Sequence, residues 1–256
     1  MKSRTALLTF TMLVILALLG PVGLKVDESL SFGPAPVWAA TPEVPQEKKP
    51  QWKSREEYDA FQAVANEKDP GKKVALGEAF LHKFSTTDFK DLVYLAMMQA
   101  YQQLRDAAKA MDAGNKALEA NPDNLDALTL TAYLFPFALQ MTDPDAAGKL
   151  SRAEAHAKHG LEVLQKQTKP EGVPEEQFNQ AIKARRALFN STAGFVSLQR
   201  KDYAQAVTTL RAAAEDNPSD IYTFYRLGLA CLYSSPPDYS NAVWNLARSV
   251  SLAKAA

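Results

Sequence analysis

From Ser54 to Lys254, apolar residues recur at helical spacing, and short polar or proline-containing segments divide this pattern into about ten helices. The segment Ser54-Arg-Glu-Glu57 has the serine-to-glutamate spacing of a helix capping box, and it opens the first of these helices. Asp69-Pro70-Gly71 then predicts a turn before a second helix at Lys72–Phe84. We interpret this pair as a helical hairpin.

Two 34-residue segments end in nearly the same way. Asp91–Asn124 closes with Lys116-Ala-Leu-Glu-Ala-Asn-Pro-Asp-Asn124, and Ala187–Asp220 closes with Ala212-Ala-Ala-Glu-Asp-Asn-Pro-Ser-Asp220. An alanine-rich helix end followed by Asn-Pro is a helix stop and a turn. A shared length and a shared stop signal predict an array of similar hairpins.

The period and the placement of small residues resemble the tetratricopeptide repeat (TPR), a helix-turn-helix unit of 34 residues. The resemblance implies an all-α solenoid of about five stacked hairpins, at approximately residues 54–88, 91–124, 125–167, 175–220 and 221–254. The third hairpin needs an insertion near 141–150. Glu175–Arg186 is expected to extend the first helix of the fourth hairpin toward its N-terminus.

The packing positions of this family fall on Tyr94, Tyr101, Ala110, Ala117, Pro122, Gly194, Ala206, Pro218, Gly228 and Ala242. Glycine at 194 or 228 is expected to let the two helices of a hairpin approach closely. The alanines at 110, 206 and 242 are expected to fill the facing positions. Each hairpin alone leaves an apolar face exposed, so several must stack.

In this family the first helix of each hairpin lines a concave face, and the resemblance implies partner contacts there. The candidates are Gln99, Gln102, Gln103, Tyr133, Phe137, Phe195, Gln199, Tyr222, Tyr225 and Arg226. Only Arg226 is basic, so the lysine, asparagine and arginine clamp with which some members hold C-terminal carboxylates is absent. The set predicts an aromatic, amide-rich surface for an extended or helical peptide. The alternative is that these aromatic residues pack on neighbouring helices or on the linker and leave no open groove.

The first forty residues have the layout of an export signal. Lys2 and Arg4 precede an apolar run, Ala6–Leu24, and Val37-Trp38-Ala39 offers small residues for cleavage well beyond it. If the run is retained, its length is near the roughly 20 residues that span a membrane as a helix. Residues 1–40 are thus predicted to be a cleaved signal or an N-terminal membrane anchor, with a buried structural helix as the third interpretation. The proline-containing stretch 41–53 predicts an extended, exposed linker.

Composition and charge exclude several classes of protein. With 46% hydrophobic and 23% charged residues, the chain is too apolar for a disordered tail. Twenty-nine basic and 29 acidic side chains give no net charge, which argues against a general nucleic-acid binder. The single cysteine, Cys231, excludes an intrachain disulfide and a cysteine-based zinc site. Its repeat position predicts a buried packing residue.

Candidate chemistry is sparse. His156 and His159 stand three residues apart on a predicted helix with Glu162 nearby, a spacing that one metal ion can use. No recognised metal motif surrounds them, and we expect solvated histidines on a helix surface. The sequence contains no glycine-rich phosphate loop and no serine elbow. We therefore predict no catalytic residue, no metal and no cofactor.

Together these features predict a non-enzymatic scaffold outside the cytoplasm, similar to exported bacterial TPR proteins, which binds a protein or peptide on its concave face and binds no nucleic acid. It would be periplasmic or secreted, or attached to the inner membrane through residues 6–24. One alternative is an oligomerising structural protein of the cell envelope that uses its terminal helices, since Val243, Leu246 and Val250 form an outer stripe in the last predicted helix. A helical enzyme or small-ligand-binding protein is the other.

Overall fold

Ten α-helices and no strand make up the part of the chain that the computed structural model describes, residues 50–255. The predicted signal or anchor at 1–40, and residues 41–49 of the predicted linker, lie outside these residues. The helices are α1 (Arg55–Asn66), α2 (Pro70–Lys83), α3 (Lys90–Gln103), α4 (Ala107–Ala120), α5 (Leu125–Ala138), α6 (Ala146–Gln165), α7 (Glu175–Gln199), α8 (Tyr203–Asp216), α9 (Ile221–Tyr233) and α10 (Tyr239–Ala255). None of these ten combines the length and the apolar character that a membrane span requires.

Consecutive helices pack as five hairpins, α1/α2, α3/α4, α5/α6, α7/α8 and α9/α10. The first helix of each later hairpin also packs on the second helix of the hairpin before it, and α7 contacts both α5 and α9. Every hairpin therefore covers an apolar face of its neighbour, as stacking repeats must. The predicted all-α array of about five hairpins is confirmed.

The turns inside the second and fourth hairpins have the same geometry. Arg105 and Lys201 follow the first helix in each and have left-handed backbones, with φ of 60° and 63°. The next residue, Asp106 or Asp202, caps the second helix, its carboxylate accepting a backbone N–H at 3.0 Å and 3.2 Å respectively. An aspartate N-cap contributes about 1 kcal/mol to helix stability. The sequence repeat is thus also a repeat of turn geometry.

The Asn-Pro segments form the turns between hairpins. Asn121 and Asn217 end α4 and α8, and each side-chain oxygen accepts the backbone N–H two residues later, at 3.1 Å and 3.2 Å. This Asx turn closes the helix and reverses the chain. Pro122 and Pro218 lie exposed within these turns.

Glycines mark the closest contacts between helices. A Cβ atom built on Gly194 of α7 would lie 2.5 Å from Cγ of Leu210 in α8, and one on Gly228 of α9 would lie 2.6 Å from Cγ of Leu246 in α10. The side chains that face these glycines are leucines and not the alanines that the sequence suggested. Ala206 and Ala242 are both buried in the apolar cluster that also contains Leu210.

Leu246 therefore points into the last hairpin, and its predicted place on an outer stripe is wrong. The exposed apolar residues of α10 include Val243 and Val250 from the prediction, together with Tyr239 and Trp244. Trp244 also packs edge-on against Phe224 of α9, at 5.9 Å between ring centroids.

The third and fourth hairpins depart from the standard length. After α5, the inserted residues form a turn. Two ion pairs attach this turn to α6: Asp143 pairs with Lys149, and Asp145 pairs with Arg152. α7 is one continuous helix of 25 residues, as the predicted N-terminal extension requires.

The described end of the linker packs on the first hairpin. The Trp52 ring stacks on Phe89, with 3.6 Å between centroids, and also contacts Tyr58 and Phe61. Glu57 is buried under this segment and accepts the Lys53 backbone N–H at 2.6 Å. Trp52 and Lys53 therefore belong to the packing of the first hairpin, although they precede α1.

The contact at Gly194 gives a direct test of hairpin packing. Gly194→Ala would place a methyl group inside the Leu210 side chain, so we expect it to lower the free energy of unfolding by about 1–3 kcal/mol. Urea denaturation followed by circular dichroism measures the change. Gly71→Ala is the matched control, because its Cβ meets only the Asp69 side chain, at 3.3 Å, and a shift below about 1 kcal/mol is expected there. Equal effects of the two substitutions would contradict close packing at 194.

Candidate functional site

Five of the predicted partner-binding residues meet on one surface, which we call the aromatic patch. Its members come from three first helices: Tyr133 and Phe137 from α5, Phe195 from α7, and Tyr222 and Arg226 from α9. The Tyr133 and Phe137 rings are 5.9 Å apart, one helical turn along α5. Phe137 then meets Tyr222 edge-on at 6.0 Å, so the contact passes across α7 from one hairpin to the next but one.

The outer rings of the patch remain open to solvent. Tyr133, Phe137 and Tyr222 are 41%, 55% and 54% exposed, although Phe137 contacts both tyrosines. Phe195 is half-buried and packs against Phe135, which belongs to the core. The patch therefore has a packed base and an accessible top. Contiguous exposed apolar surface of this kind marks interaction sites.

Arg226 lies at the inner edge of the patch. Its Cζ is 4.7 Å from the centroid of the Phe195 ring and 5.8 Å from that of Tyr222, within cation–π range of both. Its Nη1 donates to Ser191 Oγ at 3.3 Å. Burial of the guanidinium lowers the pKa of Arg226 from its usual value, while Asp220 and Tyr222 act in the opposite direction.

A chain of hydroxyl groups lies beneath the arginine. Ser191 Oγ is 2.8 Å from Thr223 Oγ1, and the Thr223 hydroxyl donates to Asp220 Oδ2 at 2.5 Å. Sequence reasoning did not identify Thr223 or Asp220 as part of the site. The available signal was their spacing, because Thr223 precedes Arg226 by three residues and so shares its side of α9.

The other five predicted partner-binding residues lie outside the patch. Gln99 and Gln102 on α3 and Gln199 at the end of α7 are half-buried, while Gln103 and Tyr225 are exposed. Within residues 50–255, no hydrogen bond or ring contact joins them to the patch. Of the five, Gln199 lies one helical turn beyond Phe195 on α7.

A second depression lies between α4, α5 and α6. It consists of two adjoining cavities of about 320 Å³ and 330 Å³, which share Asn115, Arg152 and His156. His156 is half-buried, and burial, followed by the nearby Arg152 and His159, lowers the pKa of its imidazole. This favours the neutral ring at neutral pH.

The two histidines of the predicted pair have different surroundings. His159 Nε2 lies 2.6 Å from Asp123 Oδ1, and its Nδ1 lies 3.5 Å from Glu162 Oε2. Both histidines lie on the surface of α6 and are half-buried, so they are less solvated than expected. Among residues 50–255, no group of three or more histidine, cysteine, aspartate or glutamate side chains has an arrangement that could hold a metal ion.

Cys231 lies in the core between α9 and its neighbours, 1% exposed, as its repeat position predicts. Desolvation raises the pKa of its thiol, with Asp238 adding to the effect. A buried thiol with a raised pKa is a packing group and a poor nucleophile.

No protein-family model matches the chain, and no curated protein matches it in sequence. The solved structures that share its architecture include the following three. BtubC (BKLC) from P. vanneervenii has a TM-score of 0.52 at 18% identity, covering 76% of this chain and 77% of its own. Acl4, described as the assembly chaperone of RpL4, has a TM-score of 0.54 at 14% identity, covering 77% and 74%. YrrB, described as a TPR protein with an unusual peptide-binding site, has a TM-score of 0.50 at 14% identity, covering 76% and 81%. At these identities the likeness shows the fold, which is TPR-like.

Alanine substitutions at two nearby phenylalanines of α5 test whether the patch contributes to the stability of the fold. Phe137→Ala removes an exposed ring and should lower the free energy of unfolding by less than about 1 kcal/mol. Phe135→Ala removes a ring that is 3% exposed and should lower it by about 3–5 kcal/mol. Chemical denaturation of both variants gives the comparison. A large loss for Phe137→Ala would mean that the patch is part of the core.

Proposed function

We propose that this protein is a non-enzymatic interaction scaffold that binds a peptide segment of a partner protein on the aromatic patch. The observation that carries the proposal is the contact network of Tyr133, Phe137 and Tyr222, three rings that join two hairpins and remain about half exposed. Tyrosine, phenylalanine and arginine are the residue types enriched at the centres of protein interfaces. The TPR-like fold supports the same function, since YrrB shares it and is described as having a peptide-binding site.

The energetics of the patch favour binding over an internal role. Complete burial of one large apolar side chain is worth about 1.5–3 kcal/mol, and each of these rings is only half-buried in the free protein. A partner that covers them gains the remainder from all three at once. Because Phe195 rests on the core residue Phe135, the surface is formed before binding and loses little conformational entropy.

The location that we propose is outside the cytoplasm. The support is in the sequence, where Lys2 and Arg4 precede the apolar run at 6–24. A patch of exposed rings on an exported protein would meet other exported or envelope-bound proteins.

One specific observation favours a second candidate, self-association through α10. Val243 is 67% exposed, and Tyr239, Trp244 and Val250 are also exposed on this helix. An apolar helix face of this kind can pack against a second copy of itself in a two-fold dimer.

A photocrosslinking experiment separates the two candidates. A benzophenone amino acid is placed at Phe137 in one variant and at Val243 in another, and the full chain is irradiated in cells. Position 137 is expected to yield a crosslinked partner protein, and Tyr133→Ala combined with Tyr222→Ala should reduce its yield at least about tenfold, because two of the contacting rings are lost. Position 243 should give less of this product.

The products identify which surface is used. A crosslinked homodimer at 243 with no partner at 137 would establish the second candidate and overturn the first. A partner captured at 137 whose yield is unchanged in the double alanine variant would also overturn peptide binding on the patch, provided that circular dichroism shows the variant to be folded.

Export has its own test. Alkaline phosphatase, which requires an oxidising compartment for its disulfides, is fused after residue 53 and expressed in a bacterium. We expect an active enzyme, and loss of activity when Lys2 and Arg4 are retained but the run at 6–24 is deleted. Equal phosphatase activity with and without the run would contradict export. A second fusion, to a reporter that is active only in the cytoplasm, would also contradict export if it were the active one.

A further inference from the structure

We propose that the depression between α4, α5 and α6 binds an uncharged small molecule in which an amide group lies between two apolar groups. We call this depression the α4–α6 cleft, and it consists of the two adjoining cavities of about 320 Å³ and 330 Å³. None of the five residues of the aromatic patch lines either cavity. Binding in the cleft therefore does not depend on peptide binding at the patch.

Short side chains leave the space of the first cavity. Alanines from all three helices line it, namely Ala108, Ala132, Ala138 and Ala153. Because an alanine side chain ends at Cβ, these walls do not fill the gap between the helices. An enclosed apolar cavity of about 150 Å³ already accepts benzene. The first cavity is about 320 Å³ and therefore has room for an aromatic ring or a branched alkyl group.

The second cavity has a similar size and also a largely apolar lining. Its apolar residues are Leu118, Pro122, Leu128 and Ala155. The residues that line both cavities are polar, namely Asn115, Arg152 and His156. An apolar lining with a few polar groups at fixed places is typical of small-molecule sites. A molecule that occupies both cavities thus has two apolar groups joined by a polar one.

Two of the shared residues have hydrogen-bonding groups that their own chain does not use. Asn115 and His156 are both half-buried, and among residues 50–255 neither side chain has a hydrogen-bond partner. A side-chain amide and a neutral imidazole each provide a donor and an acceptor. An amide in the ligand provides the complementary pair, an N–H that donates and a carbonyl oxygen that accepts. It can therefore satisfy groups whose access to water is already reduced.

The ionisable groups around the cleft favour an uncharged ligand. Four of them already have a partner of the opposite type: Lys149 with Asp143, Arg152 with Asp145, Asp112 with Lys116 and His159 with Asp123. Apart from His156, the remaining one is Glu119, which is exposed to solvent. Among these lining residues an anion would find no unpaired cation, and a cation would find only this solvated carboxylate. A charge that loses water without gaining a partner is costly.

The test is an NMR titration of the full chain labelled with carbon-13 at the methionine methyl groups. Met111 lines the first cavity and is the reporter, and Met111→Leu assigns its signal. Met97 and Met98 are buried elsewhere in the core and serve as references. The main probe is benzanilide, which has an amide between two phenyl rings. Phenyl benzoate has an ester oxygen in place of the amide N–H, and diphenylacetate carries a negative charge.

Four variants locate the binding. Ala108→Trp and Ala155→Trp place an indole ring in the first and the second cavity, and both start from exposed positions. Ala204→Trp is the matched control, because Ala204 is also exposed but lies on α8, outside both cavities. Asn115→Leu removes the side-chain amide and keeps nearly the same volume.

We expect benzanilide to shift the Met111 signal with a Kd below about 0.5 mM, as for a ligand of its size, and to leave Met97 and Met98 unchanged. Asn115→Leu should weaken this binding at least about fivefold, and phenyl benzoate should bind the wild type at least about fivefold more weakly, because each change leaves a polar group without a partner. Diphenylacetate should also bind more weakly than benzanilide. Each cavity-filling tryptophan should weaken binding at least about tenfold, and Ala204→Trp less than about twofold.

The opposite results would overturn each part of the proposal. No shift of Met111 with benzanilide, or equal binding to Ala108→Trp and the wild type, would mean that the cleft is not a site for this class of molecule. Equal Kd values for benzanilide and phenyl benzoate would overturn the assignment of an amide, and this comparison needs only the wild type if Asn115→Leu does not fold. Tighter binding of diphenylacetate would overturn the preference for an uncharged ligand.

Discussion

The distance between helices at a few glycines determines the rest of this structure. Gly194 and Gly228 sit against leucines of their own hairpins, whereas Gly160 of α6 receives the ring of Phe189 from the next hairpin, with 2.6 Å from its built Cβ to the ring. Phe189 is fully buried there. A residue with a side chain at these points would push the helices apart, and every later hairpin would move with them.

That constraint positions the aromatic patch. The Phe189 ring packs α7 against Gly160 of α6. Thr192 of α7 donates its hydroxyl to the Ala132 carbonyl of α5 at 3.0 Å. These contacts hold α7 between α5 and α9, which is why Phe137 and Tyr222 can meet across it. The site is therefore a consequence of how three hairpins stack, and no single hairpin contains it.

Features that depend on neighbouring residues could be predicted from the sequence, whereas features that depend on the stacking of hairpins could not. Local signals were reliable, because the Asn-Pro turns and the helix cap at Ser54 depend on neighbouring residues only. The hairpin array followed from their repetition. Leu246 was misplaced because helical periodicity in α10 does not show which apolar face meets α9. The contact between Phe137 and Tyr222 depends on residues 85 positions apart and on an insertion of irregular length, and periodicity carries no information about it.

Within the short helix α5, one phenylalanine serves folding and another lies on the candidate binding surface. In α5, Phe135 points to the core and Phe137 to solvent, although the two residues are chemically identical and two positions apart. The core ring supports Phe195, and Phe195 supports the guanidinium of Arg226. An apolar contact inside the array thus fixes the direction of the half-buried guanidinium of Arg226. Because that direction is fixed before a ligand arrives, a partner that touches the arginine would order it at little entropic cost.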